Sequence, residues 1–291
     1  MKKLALIFIA MGLIGYVCAQ EQENEEEGMM SKRGISILPE SGDIGLGING
    51  IPIISYFGNI FNGTANNTAA FNFVDGNNAI YGKYFLDEKT AVRAKVRINT
   101  GTVTDMEYVA KDTLPYYDEN TVKDYQHIST TNVYLSTGYE MRRGKGRIQG
   151  FYGGEVIATY TNRITTYEYG NAFSADITNP NTTDFGSNVT YTASGTGVES
   201  RVLEQKNGRQ LGFGLGGFIG VEYFFAPKIA VGGEFGWGFA FTNTADGELT
   251  NEVYDVNNMV ITKKTVETGG GNSWIVDTDN AFGAIYLMFH F

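Results

Sequence analysis

Residues 212–225, Gly-Phe-Gly-Leu-Gly-Gly-Phe-Ile-Gly-Val-Glu-Tyr-Phe-Phe, decide the fold. Their period is two. Phe213, Leu215, Gly217, Ile219, Val221, Tyr223 and Phe225 share one face of a strand, while Gly212, Gly214, Gly216, Phe218, Gly220, Glu222 and Phe224 share the other. Residues 229–241 repeat the pattern. Val231, Gly233, Phe235, Trp237, Phe239 and Phe241 oppose Ala230, Gly232, Glu234, Gly236, Gly238 and Ala240. Large apolar side chains on one face, with glycine, alanine and single charges on the other, invert the arrangement of a soluble sheet. They fit a small closed barrel with lipid outside and a tight polar interior.

Working outward, Ala91–Ile98 gives the clearest alternation, with Val92, Ala94, Val96 and Ile98 against Arg93, Lys95 and Arg97. Eight segments of this kind fall at 43–56, 78–86, 90–102, 129–142, 147–164, 208–225, 229–243 and 279–291. Three connections are short (87–89, 143–146 and 226–228) and four are long (57–77, 103–128, 165–207 and 244–278). Each segment supplies the roughly nine to eleven residues that a tilted strand needs to cross a bilayer. Short turns at one end and long loops at the other are the asymmetry of membrane barrels, with turns periplasmic and loops outside. The expectation is therefore all-β: an eight-stranded antiparallel up-and-down transmembrane β-barrel over 42–291.

The start of the chain agrees with export. Lys2 and Lys3 precede an apolar run, Leu4–Val17, that is too short to cross a bilayer as a helix. Residues 1–19 read as a signal peptide cleaved after Ala19, with lipid attachment at Cys18 as the alternative reading. Cleavage removes two lysines and no acid, taking the net charge from −10 to −12, and leaves no cysteine. Residues 20–41 include five glutamates at 21–27 and read as an acidic, disordered periplasmic leader. The negative charge speaks against nucleic acid as a partner, since phosphate binding needs a basic surface.

The last segment places Gly283, Ile285, Leu287, Phe289 and Phe291 on one face, ending on an aromatic. This resembles the C-terminal strand of Gram-negative outer-membrane proteins that the barrel-insertion machinery reads. The mature chain resembles small eight-stranded barrels of the OmpA/OmpX-like type. Gly42–Ile48, Tyr81–Leu86 and Thr90–Lys95 look like barrels common in Bacteroidota. The resemblance implies a Gram-negative outer-membrane location. It also implies contact with membrane lipid and lipopolysaccharide, and no peptidoglycan-binding domain of the OmpA type. It fixes fold rather than task.

Directing the polar face of each strand inward puts Lys83, Arg93, Lys95, Arg97, Glu140, Arg142, Glu155, Glu222 and Glu234 in the lumen. Near-balance of sign is what a closed, ion-paired plug requires. The lumen glycines would make room for the long basic side chains. His127 and Ser129 fall outward near the outer interface. They resemble the His-x-Ser element of lipid A deacylase barrels, in which a glutamate on the neighbouring strand orients the histidine, but no outward acid is found on the flanking segments. An enzyme is not expected, nor is a cofactor. Acidic residues at 103–128 and 244–278, among them Asp105, Glu107, Asp112, Asp124 and Glu252, read as solvated loop charge without the spacing of a metal site. Asp112-Thr113-Leu114 resembles an O-glycosylation site of Bacteroidota. Ile51–Phe61 reads as strand continuation, and Tyr56, Tyr84, Tyr139, Tyr152, Tyr160, Tyr223, Trp237 and Phe289 read as members of the aromatic girdles. The expected role is structural or recognition-based, carried by extracellular loops. The alternatives are an accessory subunit packed against a larger outer-membrane complex and OmpW-like passage of small molecules, the latter opposed by the charged inward rows.

Overall fold

The computed structural model describes residues 29–49, 80–112, 120–191, 198–255, 260–277 and 284–291. The regular elements among them are all strands: β1 Ile44–Asn49, β2 Ile80–Asp87, β3 Thr90–Ala110, β4 Thr121–Lys145, β5 Ile148–Glu168, β6 Val189–Tyr191, β7 Val198–Lys206, β8 Gln210–Ala226, β9 Ile229–Thr244, β10 Gly247–Asp255, β11 Val260–Thr268, β12 Gly271–Asp277 and β13 Ala284–His290. All pair antiparallel in one sheet. Eight of them form a closed circuit. β1 pairs β2, then β3, β4, β5, β8, β9 and β13 follow in turn, and β13 pairs β1 again.

The two faces of this ring differ as the alternation requires. Val92, Leu135, Val156, Phe213, Leu215, Ile219, Phe235, Phe239 and Ile285 point out and are exposed, whereas Phe85, Phe151, Phe218, Phe224, Tyr286 and Met288 point in and are buried. The inner face is also crowded. A Cβ on Gly232 would stand 2.6 Å from the Tyr286 ring, one on Gly47 2.7 Å from the Met288 methyl, and one on Gly153 2.6 Å from the Phe218 ring. Gly220 abuts the Phe151 ring in the same way. The expectation that interior glycines accommodate lysines and arginines is corrected here: they accommodate aromatic rings and methionine.

Thirteen strands replace the eight expected, because three of the four long loops prove to be strand for much of their length. β3 runs on to Ala110, β4 begins at Thr121 and β5 continues to Glu168. β7 lies end to end with β8, β10 with β9, and β11 with β12. The interruptions, at 207–209, 245–246 and 269–270, fall side by side and form a crease. Glycine is obligatory there, because a Cβ on Gly208 would collide with the Ala245 carbonyl, one on Gly270 with the Thr244 carbonyl, and one on Gly247 would stand 2.5 Å from the Lys206 carbonyl oxygen. These stretches are rich in Thr, Val and Tyr, which favour extended backbone. The charges of β11 are solvated because neither of its faces is covered. Residues 50–56 of the first expected strand and the rest of 50–79 lie outside the described residues, as do the signal peptide, residues 20–28, Tyr56, Thr113, Leu114 and Gly283.

Residues 29–41, expected to be disordered, are folded onto the short-turn end of the ring. Gly34, at φ 74°, turns the chain, and the Gly34 N–H donates to the Ser31 carbonyl. The Ile37 side chain enters the ring end against Phe224 and Ala230, and the Ile37 carbonyl accepts from the Lys228 N–H. The physical reason is local composition: Ile35, Ile37 and Leu38 follow the glutamates and supply apolar surface to bury. Asp43 then clasps Lys228. Burial alone would raise the Asp43 carboxyl, but the Lys228 ammonium and the Glu40 N–H outweigh it and hold it below the ordinary carboxylate range.

Two outcomes follow for this cap. Ile37→Ala removes a side chain only 2% exposed, a class of change that costs about 2–5 kcal/mol. Protease cleavage between 29 and 42 should then appear while the ring stays folded. A depressed carboxyl contributes stability that is complete above its unfolded value of about 4 and is lost as pH falls through the lower folded value. Protection of the same segment should thus fade in wild type below about pH 4, and Asp43→Asn should abolish that dependence.

Candidate functional site

The chemistry of the inner face is concentrated in eight ionised side chains placed by β2, β3, β4, β5, β8 and β9. Each sits at an inward position of its strand and has at least one aliphatic or aromatic outward neighbour. Lys83 Nζ lies 2.7 Å from Glu222 Oε1 and 2.8 Å from Glu140 Oε2. Arg142 spans the same two carboxylates, Nη1 2.7 Å from Glu140 Oε1 and Nη2 2.6 Å from Glu222 Oε2. The Tyr286 hydroxyl donates to Glu222 Oε1 at 2.8 Å. One turn of the strand pattern higher, Arg93 takes Glu234 in a two-pronged contact, with both N–O distances 2.8 Å. Lys95 joins Glu234 at 2.6 Å and Glu155 at 3.3 Å. Arg93 Nη1 approaches Glu140 at 3.7 Å, linking the two layers.

Each layer holds two cations and two carboxylates, so each is neutral. These contacts join strands that are not neighbours in the ring, β2 to β8 and β3 to β9, and therefore run across the interior. The charged groups also rest on rings. Lys83 Nζ stands 4.5 Å from the Phe151 centroid, and the Arg93 guanidinium 3.8 Å from that of Phe218. Arg142 lies 5.2 Å from Phe85. Below them Phe85, Phe224 and His290 close the short-turn end together with Ile37. All eight charged residues are at most 7% exposed.

Arg97 differs from the other inward charges assigned from sequence. It is half-buried and meets no carboxylate among the described residues. Of the aromatic floor of Phe151, Phe218, Tyr81 and Tyr286, alternation puts Phe218 on the inward face from sequence, whereas Tyr81 and Phe151 were not assigned to the interior. Strand parity was the signal that could have found them, since these rings alternate with outward apolar residues.

His127 and Ser129 do lie outward on β4, but they are not joined. Ser129 Oγ shares a hydrogen bond with Thr102 Oγ1 at 2.9 Å, and His127 Nδ1 with Thr104 Oγ1 at 2.8 Å. The acid that the sequence reading lacked is present. Glu168, at the far end of β5, stands 3.9 Å from His127 Nε2, because β5 extends four residues beyond the expected boundary.

Of the acidic loop residues, Asp105 and Glu107 are exposed as expected, whereas the solvated reading is corrected for Asp112, Asp124 and Glu252. Asp124 is fully buried and accepts from the Gly170 and Thr183 N–H groups. Asp112 receives the Asn181 N–H and side-chain amide. Glu252 takes the Arg201 Nε, while Arg201 also donates to Thr182 and to the Asn171 carbonyl. Together with a small core of Phe173, Val198 and Tyr254, they pin segment 169–191 onto the upper strands. Among the described residues, no cluster of three or more His, Cys, Asp or Glu is placed to hold a metal.

No protein-family model matches the chain, and no curated protein matches it. Among solved structures, the crystal structure of the outer membrane protein OprG from Pseudomonas aeruginosa is similar over 88% of this chain and 98% of its own, at 9% identity and a TM-score of 0.30.

The interior pairs set a clear expectation. Arg142→Met leaves Glu140 and Glu222 sharing one lysine in a buried site, a loss of about 3–5 kcal/mol. Adding Glu222→Met should restore much of that. Urea midpoints of the folded protein in lipid vesicles read both.

Proposed function

We propose that this chain is a non-enzymatic outer-membrane protein, an eight-stranded transmembrane β-barrel with a plugged lumen, whose role is structural or recognition-based and is carried by the strands and segments above the membrane. The observation that supports it best is the pairing of a continuous apolar exterior with a buried, neutral, eight-charge interior. Monomeric soluble proteins rarely leave apolar patches beyond about a few hundred Å² in water, whereas acyl chains solvate such a face. On β5 the outward apolar run from Ile148 to Tyr160 spans twelve steps. At about 3.3 Å per step and a tilt of about 40°, that is about 30 Å, the thickness of a bilayer core.

The plug favours this reading over OmpW-like passage, because a small barrel filled by salt-bridged side chains and rings leaves no continuous water path. An accessory role in a larger complex has its own support. Phe213, Leu215, Phe239, Phe241 and Val156 surround an apolar depression of about 310 Å³ on the outer face. A stoichiometric large partner retained in mild detergent would favour it.

Reconstituted in planar bilayers, the wild-type protein should show no steady conductance. A reproducible conductance that changed with Arg93→Ala would overturn the plugged reading.

A further inference from the structure

The outward rows of β3, β4 and β5 change character at one level. On β3 the row Val92, Ala94, Val96 and Ile98 gives way to Thr100, Thr102 and Thr104, then Met106 and Tyr108. On β4 the row Leu135 and Val133 gives way to Thr131, Ser129, His127 and Tyr125. Register aligns the change, since Ile98 faces Val133, and Val133 faces Tyr160. Above it, Thr100 pairs across with Thr131 and Thr131 with Asn162, Thr102 with Ser129, and Thr104 with His127 and then Thr166.

The hydroxyls are linked in cross-strand couples, Thr100 to Thr131 at 3.1 Å, Thr102 to Ser129 at 2.9 Å and Thr104 to His127 at 2.8 Å. In each hydroxyl–hydroxyl couple one O–H is spent, which leaves one proton and several lone pairs directed outward. The strip ends on rings. Tyr125 and His127 stack with planes 7° apart, and Lys123 sits 5.1 Å from the Tyr108 centroid.

Resting on the membrane assignment above, we infer that this strip binds the core sugars of an outer-leaflet glycolipid. Its position is directly above the lipid-facing band, so it stands beside the part of a lipid that projects beyond its acylated anchor, where core sugars extend. Its chemistry suits sugar better than phosphate. It offers a ladder of neutral donors and acceptors flanked by aromatic rings, while Lys123 is already engaged with Tyr108 and the Glu168 carboxylate stands beside His127. The cross-strand couples fix the hydroxyls before binding, so little side-chain freedom is lost on contact. The His-x-Ser element belongs to this ladder.

The full chain, folded into vesicles, is titrated with two probes: lipopolysaccharide carrying core sugars, and lipid A without them. Wild type should prefer the sugar-bearing form. Thr102→Val with Thr104→Val and Ser129→Ala should weaken that binding by about tenfold or more, with lipid A binding unchanged. Thr102→Ser with Thr104→Ser should bind as wild type, since the hydroxyls remain. Equal binding of both probes by wild type, an unchanged triple variant, or equal loss of both probes overturns the inference. Failure of the wild-type chain to enter vesicles at all strikes the membrane assignment instead.

Discussion

Neutrality inside the ring is the constraint on which the rest depends. An ionised side chain taken out of water costs several kcal/mol unless its partners replace the lost solvation. Eight such groups are held here, and the ring tolerates them because each layer of four sums to zero and each carboxylate faces two cations. Glu222 shows the density this demands: a lysine, an arginine and a tyrosine hydroxyl converge on one carboxylate. Strand register is thereby fixed. A slip of one residue would turn Arg93 outward and Val92 inward, exchanging a paired charge for an unpaired one on the apolar outer face.

Packing works together with this electrostatic frame. The rings of Phe151, Phe218 and Tyr286 fill what the ion pairs leave, and they fit because Gly220, Gly153 and Gly232 present no side chain opposite them. The glycine content that marks the sequence is thus the complement of its aromatic content. Rings and cations share the same space, so the guanidinium of Arg93 is both paired and stacked.

The period of two made the lower ring legible. Residues 90–98, 212–225 and 229–241 carry it without interruption, and the positions of Lys83, Arg93, Lys95, Glu140, Arg142, Glu155, Glu222 and Glu234 followed by parity alone. What escaped did so for identifiable reasons. Above Ile98 and Val133 both faces mix polar and apolar residues, so 103–110 and 121–128 lack the contrast that marks a strand and read as loops. Glu168 was lost with them. Asp124 and Arg201 are buried by contacts with segment 169–191, which no local pattern encodes. The five glutamates at 21–27 hid the apolar Ile35, Ile37 and Leu38 that follow.

The crease through 207–209, 245–246 and 269–270 has a further meaning for how such a chain can change over time. Three adjacent strands break there, whereas β3, β4 and β5 pass the same height unbroken. Insertions, deletions or exchanged sequence in the 247–268 hairpin therefore meet a ready-made seam, and the register of the paired interior is insulated from them. One wall acts as a fixed mast and the other as a graftable panel, a division of labour that lets the exposed surface diversify while the trunk is inherited intact.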